Sequence, residues 1–354
     1  MKKLLLLTAL FLGGTSHLAA QRMDDKTEHS KYIQAVDEYC PAPGQFVNKL
    51  PPYAEGNSAQ DMADSCTVRL AENQGGLVSL GAYGGYITFH FDHSIANIAG
   101  KADFYVTGNA FSGSGEPGIV MVSKDTNGNG LPDDEWYELK GAADTDCPER
   151  LTFGYQITYT YNAMKDVPWT DNKGVSGTVP RNTFHSQEYF PLWMDNSITF
   201  TGTLLPKNGS NIGGEGEEQY WQLTSFNYGY ADNKANTDTV ANSFNIEWAV
   251  NPITRQAVTL DFIDFVRVYT GVNQVAGWLG ETSTEITGAE DLHLEESIAA
   301  INNALTGIDN INENDDSQQI QAIYTIDGRR IEKLQHGLNI LKIKNGKTKK
   351  IFIR

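Results

Sequence analysis

The segment from position 125 to 136 has the residue types and spacing of a calcium-binding loop. Oxygen-bearing side chains occupy its first, third, fifth and ninth positions, and a glycine occupies the sixth, where such a loop turns sharply. Calcium binds about six to eight oxygen atoms, which a tight loop can bring together. The predicted ligands are the side chains of Asp125, Asn127, Asn129, Asp133 and Glu135 and the backbone carbonyl of Leu131.

The loop departs from an EF-hand at its twelfth position, which is Trp136 rather than a bidentate glutamate. Glu135 or Asp134 must therefore take that role, and the flanking residues have the pattern of strands rather than helices. We predict an EF-like loop that binds Ca²⁺ as a structural clip within a β-domain. The alternative is a hairpin that binds no metal, because a composition rich in asparagine and glycine also suits bare turns.

Three tryptophans are candidates for contact with a ligand. Trp169, Trp193 and Trp278 lie beside proline, aspartate or glycine in predicted loops. An aromatic ring on a loop can stack on a sugar ring or on another flat ligand. These three residues are the predicted ligand-binding residues, and the alternative for each is packing beneath a long loop.

The sequence lacks the common signatures of catalysis. It contains no zinc-protease helix motif, phosphate-binding loop, dinucleotide-binding glycine fingerprint or nucleophile elbow. His90 and His93 are three residues apart on a predicted strand, so they point to opposite faces and cannot share a metal. Glu215, Glu217 and Glu218 could form an acid and base pair, but a solvated acidic loop is the commoner arrangement. We therefore predict that the protein is not an enzyme.

Short runs of β-branched and aromatic residues, separated by turns rich in glycine and asparagine, dominate the middle of the chain. Several runs alternate apolar with polar residues, as half-buried strands do. The predicted strands are Val78–Leu80, Tyr86–Phe91, Phe104–Val106, Ile119–Ser123, Tyr155–Tyr161, Ser197–Gly202, Tyr220–Phe226, Ser243–Ala249 and Phe262–Tyr269. This pattern predicts a mainly β fold, namely a β-sandwich of the jelly-roll type.

Changes in the sequence pattern divide the chain into five segments. They are a signal peptide (1–20), an N-terminal arm (21–43), a main β-sandwich domain (44–305), a linker (306–319) and a β-rich tail (320–354). The arm is polar and is expected to hold at most a short helix around Lys31–Val36. Convincing helical spacing occurs once, over Glu290–Leu305, where it predicts a helix that closes the main domain. The linker is rich in asparagine, aspartate and glutamine and lacks aromatic residues.

The first residues have the layout of a cleavable secretory signal. Lys2 and Lys3 precede the apolar run Leu4–Leu12, and small residues lead to Ala20. The apolar run is too short for a transmembrane helix, which takes about 20 residues. No cysteine occurs before Cys40, so the motif of a lipid-anchored signal is absent. We predict a soluble chain that is exported through the periplasm of a Gram-negative cell to the outer-membrane surface or the medium.

The chain has a formal net charge of -17, which is unevenly distributed. The tail holds nine lysines and arginines against two acidic residues, so the rest of the chain is more acidic than the whole. Such an acidic body repels nucleic acid and anionic lipid, and it favours divalent cations and neutral or cationic ligands. No nucleic-acid partner is expected.

The tail has a compact pattern of strands and turns. It comprises an apolar strand leading to Asp327-Gly328-Arg329, a central strand over Leu338–Ile343, the turn dipeptide Asn345-Gly346 and a final lysine-rich strand. This pattern resembles the C-terminal sorting domain of type IX secretion cargo in Bacteroidetes. The resemblance implies that secretion machinery recognises the tail. The alternative is a small β-tail that packs on the main domain.

Six stretches of the main domain carry a second resemblance. They are Gly44–Asn48, Val78–Gly85, Glu116–Val120, Tyr228–Asn233, Ile263–Thr270 and Gly277–Glu281. Together they resemble a family of secreted Bacteroidetes cell-surface proteins, whose members often accompany outer-membrane systems for nutrient uptake, including uptake of vitamin B12. The resemblance implies capture of a ligand and an association with an outer-membrane uptake complex, and it supplies no catalytic residues.

These observations favour a secreted, calcium-stabilised binding protein that captures a glycan or a cobalamin-like nutrient at the cell surface. One alternative is an adhesin or matrix protein whose calcium clip resists proteolysis. The other is a carbohydrate-active enzyme, since jelly rolls can carry a pair of catalytic carboxylates.

Overall fold

A computed structural model of the chain describes residues 28–306, 320–325, 328–331, 337–343 and 348–353. The predicted signal peptide and all of the predicted linker except its first residue lie outside the described residues. The strands are β1 (Ala35–Cys40), β2 (Val78–Ser79), β3 (Tyr86–Ala96), β4 (Phe104–Thr107), β5 (Gly118–Ser123), β6 (Trp136–Leu139), β7 (Thr152–Thr160), β8 (Val167–Asp171), β9 (Ser176–Val179), β10 (Ser197–Leu204), β11 (Gly209–Asn211), β12 (Trp221–Leu223), β13 (Ser243–Phe244), β14 (Ala249–Val250), β15 (Phe262–Thr270), β16 (Glu285–Ile286), β17 (Gly288–Asp291), β18 (Ile320–Thr325), β19 (Arg330–Ile331), β20 (Gly337–Ile343) and β21 (Thr348–Ile353). The α-helices are α1 (Ala59–Leu70), α2 (Ala143–Asp146) and α3 (Leu294–Thr306).

A six-stranded antiparallel sheet lies at the centre of the fold, with the strand order β1-β3-β15-β5-β6-β14. Strand β15 pairs with β3 on one side and with β5 on the other, and nearly all of its residues are buried. Successive side chains of β5 alternate between two apolar clusters, since Val120 and Val122 join one and Ile119 and Met121 join the other. The central sheet therefore has a hydrophobic core on each face.

Different layers cover the two faces of the central sheet. On one face, Ile157 and Tyr159 of the four-stranded sheet β10-β7-β8-β9 share a cluster with Tyr269 of β15. On the other face, Met62 of α1 and Phe104 of the three-stranded sheet β13-β4-β17 share a cluster with the remaining core residues of the central sheet. The packing of one sheet against another confirms the predicted mainly β sandwich.

All of the predicted strands are present at least in part, and two are much shorter than predicted. The strand predicted over Tyr220–Phe226 is reduced to β12. The run predicted over Ser243–Ala249 is interrupted by a 3₁₀ turn at Ile246–Trp248. The cause of the interruption is local, because the side chain of Asn245 accepts a hydrogen bond from the N–H of Glu247 (2.8 Å) and caps that turn.

The helices differ from the prediction near the N-terminus. At most a short helix was expected around Lys31–Val36, and none is present there, because this part of the arm leads directly into β1, the edge strand that pairs with β3. Helix α1 was not predicted, although a capping box marks its start: the Ser58 side chain accepts the N–H of Asp61, and the Asp61 carboxylate accepts the N–H of Ser58. The predicted C-terminal helix is confirmed as α3.

Strands β18 to β21 of the tail form a sheet of their own, in the order β19-β18-β20-β21. The strands agree with the pattern predicted for the tail, and β20 and β21 pair as neighbours. The turn predicted between them, at 344–347, lies outside the described residues. Cys40, Cys66 and Cys147 are free. Within the described part of the chain, no helix is long and apolar enough to cross a membrane.

Candidate ligand-binding cavity and calcium loop

Loops that follow β1, β4, β9 and β15 surround a cavity of about 360 Å³. The cavity has an acidic floor and an aromatic rim. Its volume lies within the range of ligand sites, about 300–1,000 Å³. Loops held at the edges of rigid sheets are the usual location of binding residues, because the sheets fix the ends of each loop.

Four carboxylates form the floor or lie directly behind it. Glu116, Glu281 and Glu285 line the cavity, and Asp232 lies beside Glu116 and Glu285. Glu116 stands two residues before β5, and Glu285 is the first residue of β16, where it pairs with Ser79 of β2. The central sheet and the small β16-β2 sheet therefore set the positions of two of the acids.

Asp232 is fixed by its own backbone and by its neighbours. Its φ of 51° lies in the left-handed region, which aspartate tolerates better than most residues. Its Oδ1 accepts the N–H groups of Asn109 (2.7 Å) and Ala110 (2.8 Å), and its Oδ2 accepts the N–H of Glu285 (2.8 Å). Gly108 leaves the necessary space, because a Cβ there would lie 2.2 Å from Oδ1.

Glu281 and Glu285 are held by short polar contacts. Glu285 Oε1 accepts hydrogen bonds from the hydroxyl groups of Ser79 (2.9 Å) and Ser283 (2.8 Å). Glu281 Oε1 accepts the N–H of Gln45 (2.6 Å). The two glutamates are each only 4% exposed.

Burial shifts the proton equilibria of all four acids. It raises the pKa of Glu281 to about 8 and the pKa of Glu285 to about 7. Burial first, and then the negative charge of Glu285, raise the pKa values of Glu116 and Asp232 well above their usual range. Acids this close together cannot all ionise without a compensating positive charge.

The rim of the cavity is aromatic and partly exposed. The side chains of Trp278 and Phe184 are 55% and 78% exposed. Phe46 and His185 contact each other edge to face, with ring centroids 4.8 Å apart. The Trp278 carbonyl accepts a hydrogen bond from the Asn182 side chain (2.6 Å), which ties the two rim loops together. An apolar ring face is therefore available to a ligand that enters the cavity.

Of the three predicted ligand-binding tryptophans, only Trp278 lines this cavity among the described residues. Trp193 is stacked between Tyr39 and Tyr53, at centroid distances of 5.6 and 5.9 Å. It packs against the core cluster that contains Met62 and Phe104. Trp169 lies on β8 and packs against the core cluster on the opposite face of the central sheet, with its ring close to the backbone of Gly177. The structure therefore does not bring the three rings to one surface.

The predicted calcium loop connects β5 to β6, so its flanks are strands, as predicted. Asp125 Oδ1 accepts the N–H of Gly128 (2.6 Å), and Oδ2 accepts that of Gly130 (2.8 Å). The side-chain amides of Asn127 and Asn129 donate to the two oxygens of Asp133, at 3.0 and 2.9 Å. Hydrogen bonds within the loop thus hold three of the predicted ligand side chains together, and those to Asp125 hold the loop backbone around the fourth.

The remaining predicted ligands are less closely placed. Glu135 accepts a hydrogen bond from the hydroxyl of Tyr137 (2.9 Å), and Asp134 binds the N–H and hydroxyl of Thr126. Leu131 is 55% exposed, and its N–H donates to the Asn129 side chain that precedes it. A bound ion would need Glu135 or Asp134 to exchange its present partner for the metal.

The acidic floor was not predicted as a site, although several of its residues belong to the stretches that carry the family resemblance. Gln45, Glu116, Asp232 and Glu281 come from four of those stretches. Their presence in stretches that share one family resemblance was the only signal in the sequence, because none of the acids belongs to a recognisable motif by itself. In contrast, the acidic loop that contains Glu215 is exposed, in agreement with a solvated loop.

The two histidines of β3 bind different carboxylates. His90 contacts Asp37 (2.7 Å), whereas the buried His93 bonds to Asp92 (2.9 Å) and to Asp291 (2.8 Å). Burial alone would lower the pKa of His93, but its bonds to Asp291 and Asp92 outweigh burial and raise that pKa. Both ring nitrogens of His93 are therefore engaged in a buried ion-pair network.

Comparison with known proteins adds no assignment. No protein-family model matches the chain, and no curated protein matches its sequence significantly.

Proposed function

We propose that the protein is a secreted cell-surface protein that captures a nutrient ligand in the cavity beside Trp278. The observation that carries the proposal is the combination of an exposed aromatic rim and a buried polar floor in one cavity. A sugar presents an apolar ring face and several hydroxyl groups, so it can stack on the rim and donate hydrogen bonds to the floor. The protein acts by binding and not by catalysis.

The size of the cavity favours a glycan over a cobalamin-like ligand. A space of about 360 Å³ suits one or two sugar rings. A corrinoid is much larger and would place only an edge or a side group within it. We therefore take a glycan as the first ligand to test and a cobalamin-like nutrient as the second.

The test is calorimetric titration of the purified protein with a panel of mono- and oligosaccharides and with cobalamin. We expect saturable binding of one class, weakened by Trp278→Ala and by Phe184→Ala. A matched control is Tyr228→Ala, which removes a partly exposed aromatic ring that lines a different cavity. Binding that is unaffected by both rim substitutions would place the ligand elsewhere.

We further propose that the loop between β5 and β6 binds Ca²⁺ and acts as a structural clip. The loop's spacing of oxygen-bearing residues and the hydrogen bonds that Asp125 and Asp133 accept within it support this role. The ion would supply the positive charge that gathers these oxygens and would lock the β5–β6 hairpin.

Two segments of the sequence, residues 1–20 and 320–354, support the proposed route to the cell surface. The layout of residues 1–20 supports export into the periplasm. The separate four-stranded sheet of the tail is compatible with recognition by secretion machinery of the type IX class. At the outer membrane, the captured ligand would pass to an uptake complex.

A carbohydrate-active enzyme is the second candidate, because Glu281 and Glu285 are two buried carboxyl groups lining one cavity. Glycoside hydrolysis uses such a pair, one as an acid and one as a base or nucleophile. Release of reducing sugar from a bound oligosaccharide, lost in Glu281→Gln, would support the enzyme. An oligosaccharide recovered intact after prolonged incubation would favour the binding protein.

A further inference from the structure

The three carboxylates of Glu116, Asp232 and Glu285 form a compact cluster, in which Glu116 is half-buried and the other two are buried. One oxygen of each lies within 4.8 Å of the other two. Asp232 and Glu285 are 1% and 4% exposed. Among the described residues, no lysine, arginine or histidine forms an ion pair with any of the three. Buried carboxylates without a cation are costly, so this cluster requires protons or a positively charged ligand.

The hydrogen-bond donors around the cluster favour its ionised form, against the opposing effect of burial. Asp232 accepts three backbone N–H groups, as described above, and each of these donors stabilises a carboxylate rather than a carboxylic acid. The hydroxyls of Ser79 and Ser283 donate to Glu285 in the same way. Such outer contacts commonly orient the ligands of a metal ion.

A fourth acid supplies an independent indication of a ligand. Glu281 lines the same cavity as Glu116 and Glu285, and it is 4% exposed. Its Oε2 is fully buried and has no hydrogen-bond partner among the described residues. A buried oxygen without a partner destabilises the fold, so a missing donor or cation is expected there.

We infer that Glu116, Asp232 and Glu285 bind a divalent cation at the floor of the cavity, with Glu281 contacting the ion directly or through water. All four candidate ligands are oxygen donors, and neither a histidine nor a cysteine belongs to the cluster. Oxygen ligands select hard cations, whereas zinc prefers nitrogen and sulfur. Calcium is the first candidate, because it accepts irregular arrangements of carboxylate, amide and hydroxyl oxygens.

This site is distinct from the loop between β5 and β6. Glu116 and Glu285 line the cavity, so a cation bound by them would be accessible to a ligand in the cavity. Neighbouring hydroxyl groups of a captured sugar would complete its coordination. Coordination of a sugar by the ion rests on the proposed ligand-binding function, whereas the cation site itself does not.

The metal test uses the full chain, stripped with chelator and titrated with calcium chloride by calorimetry. The background variant is Asp125→Ala, which removes the first predicted ligand of the β5–β6 loop. We expect this variant to bind one calcium ion per chain, and Glu285→Gln in the same background to weaken binding at least tenfold. Glu290→Gln is the matched control, since Glu290 pairs with Lys31 outside the cluster.

The outcomes separate the alternatives. The site is supported if the Asp125→Ala variant binds calcium and the added Glu285→Gln substitution abolishes that binding. Absence of calcium and magnesium binding in Asp125→Ala, or an affinity unchanged by Glu285→Gln, overturns it. If Glu285→Gln does not fold, Glu281→Gln replaces it, with the same tenfold criterion.

The sugar step is tested in the calcium-loaded Asp125→Ala protein. We expect removal of calcium to reduce sugar affinity at least tenfold, with restoration on adding calcium back. Sugar binding that is indifferent to calcium would overturn coordination by the ion and leave the proposed function intact. Calcium binding without any sugar binding would instead contradict the proposed function and leave the cation site intact.

Discussion

At the scale of single residues, burial separates side chains that can contact a ligand from those that hold the fold together. Trp278 and Trp193 have similar sequence surroundings, since each lies near a proline, aspartate or glycine in a loop. Trp278 is 55% exposed at a cavity, whereas Trp193 is stacked between two tyrosines against a core. The same residue type therefore has opposite expected effects on binding and on stability.

We expect Trp278→Ala to reduce ligand affinity by about 2 kcal/mol, as for an aromatic hot spot. Its effect on the free energy of unfolding should be below about 1 kcal/mol, because the ring is largely exposed. Trp193→Ala should reverse this pattern and cost about 3–5 kcal/mol of stability. Urea denaturation and calorimetry on both variants check the prediction, and equal losses of stability would contradict it.

His93 is a second residue whose role follows from its partners. We expect His93→Gln to cost about 3–5 kcal/mol of stability at pH 6, because Asp291 would remain buried without its cation. The pKa of His93 is raised in the folded state, so its contribution is complete below the ordinary pKa of about 6.5 and is lost as the pH rises through the raised value.

The difference in stability between wild type and His93→Gln should therefore shrink as the pH rises from 6 to about 9. Urea denaturation at several pH values measures it. His90→Gln is the matched control, since His90 pairs with Asp37 at a less buried position and should cost about 1 kcal/mol or less. A difference that is constant with pH would show that folding does not shift the pKa of His93.

At the scale of elements, the β5–β6 hairpin combines a strand pair with a loop rich in carboxylates and amides. Asp125 accepts N–H groups from within the loop, and its own N–H donates to Asp264 of β15 (2.7 Å). The loop is thus anchored to the central sheet at its start. Its far side, around Leu131, is exposed and would depend more strongly on a bound ion.

We expect calcium to protect residues 124–135 from limited proteolysis and a chelator to expose them. Asp125→Ala should remove the protection, because the loop loses its first ligand and an acceptor of backbone N–H groups. Mass spectrometry of the cleavage products measures the effect at this loop alone. Glu285→Gln should retain the protection, and cleavage that is independent of calcium in the wild type would exclude a calcium clip here.

The strands were predictable because alternation and β-branched residues act locally, as in β5 and β15. Helix α1 was missed because its buried face consists of Met62, Ala63, Cys66 and Leu70, which give a weak apolar stripe among polar residues. The acidic floor was missed for a different reason. Glu116 and Asp232 lie far from each other and from Glu281 and Glu285 along the chain, and only the tertiary fold brings the four together.

At the scale of the whole molecule, the uneven distribution of charge bears on the acidic cavity. The net charge of -17 is concentrated before the tail, and part of it converges on the buried floor of one cavity. Divalent cations that bind only the folded state would lower the repulsion between these acidic groups, and they would stabilise the folded state by mass action. The basic tail lies in a separate sheet and does not belong to that cluster.

We expect deletion of residues 320–354 to change the free energy of unfolding of the main domain by less than about 0.5 kcal/mol, as for a surface segment. The reason is that β18 to β21 pair only with one another among the described strands, so no sheet of the main domain loses a partner. In a host with type IX secretion, the truncated protein should accumulate in the periplasm. Surface proteolysis of intact cells and fractionation measure its location, with a variant carrying Arg329→Ala and Arg330→Ala as a full-length comparison.

Normal surface display of the truncated protein would contradict a sorting role for the tail. A large loss of stability on truncation would show instead that the tail packs on the main domain.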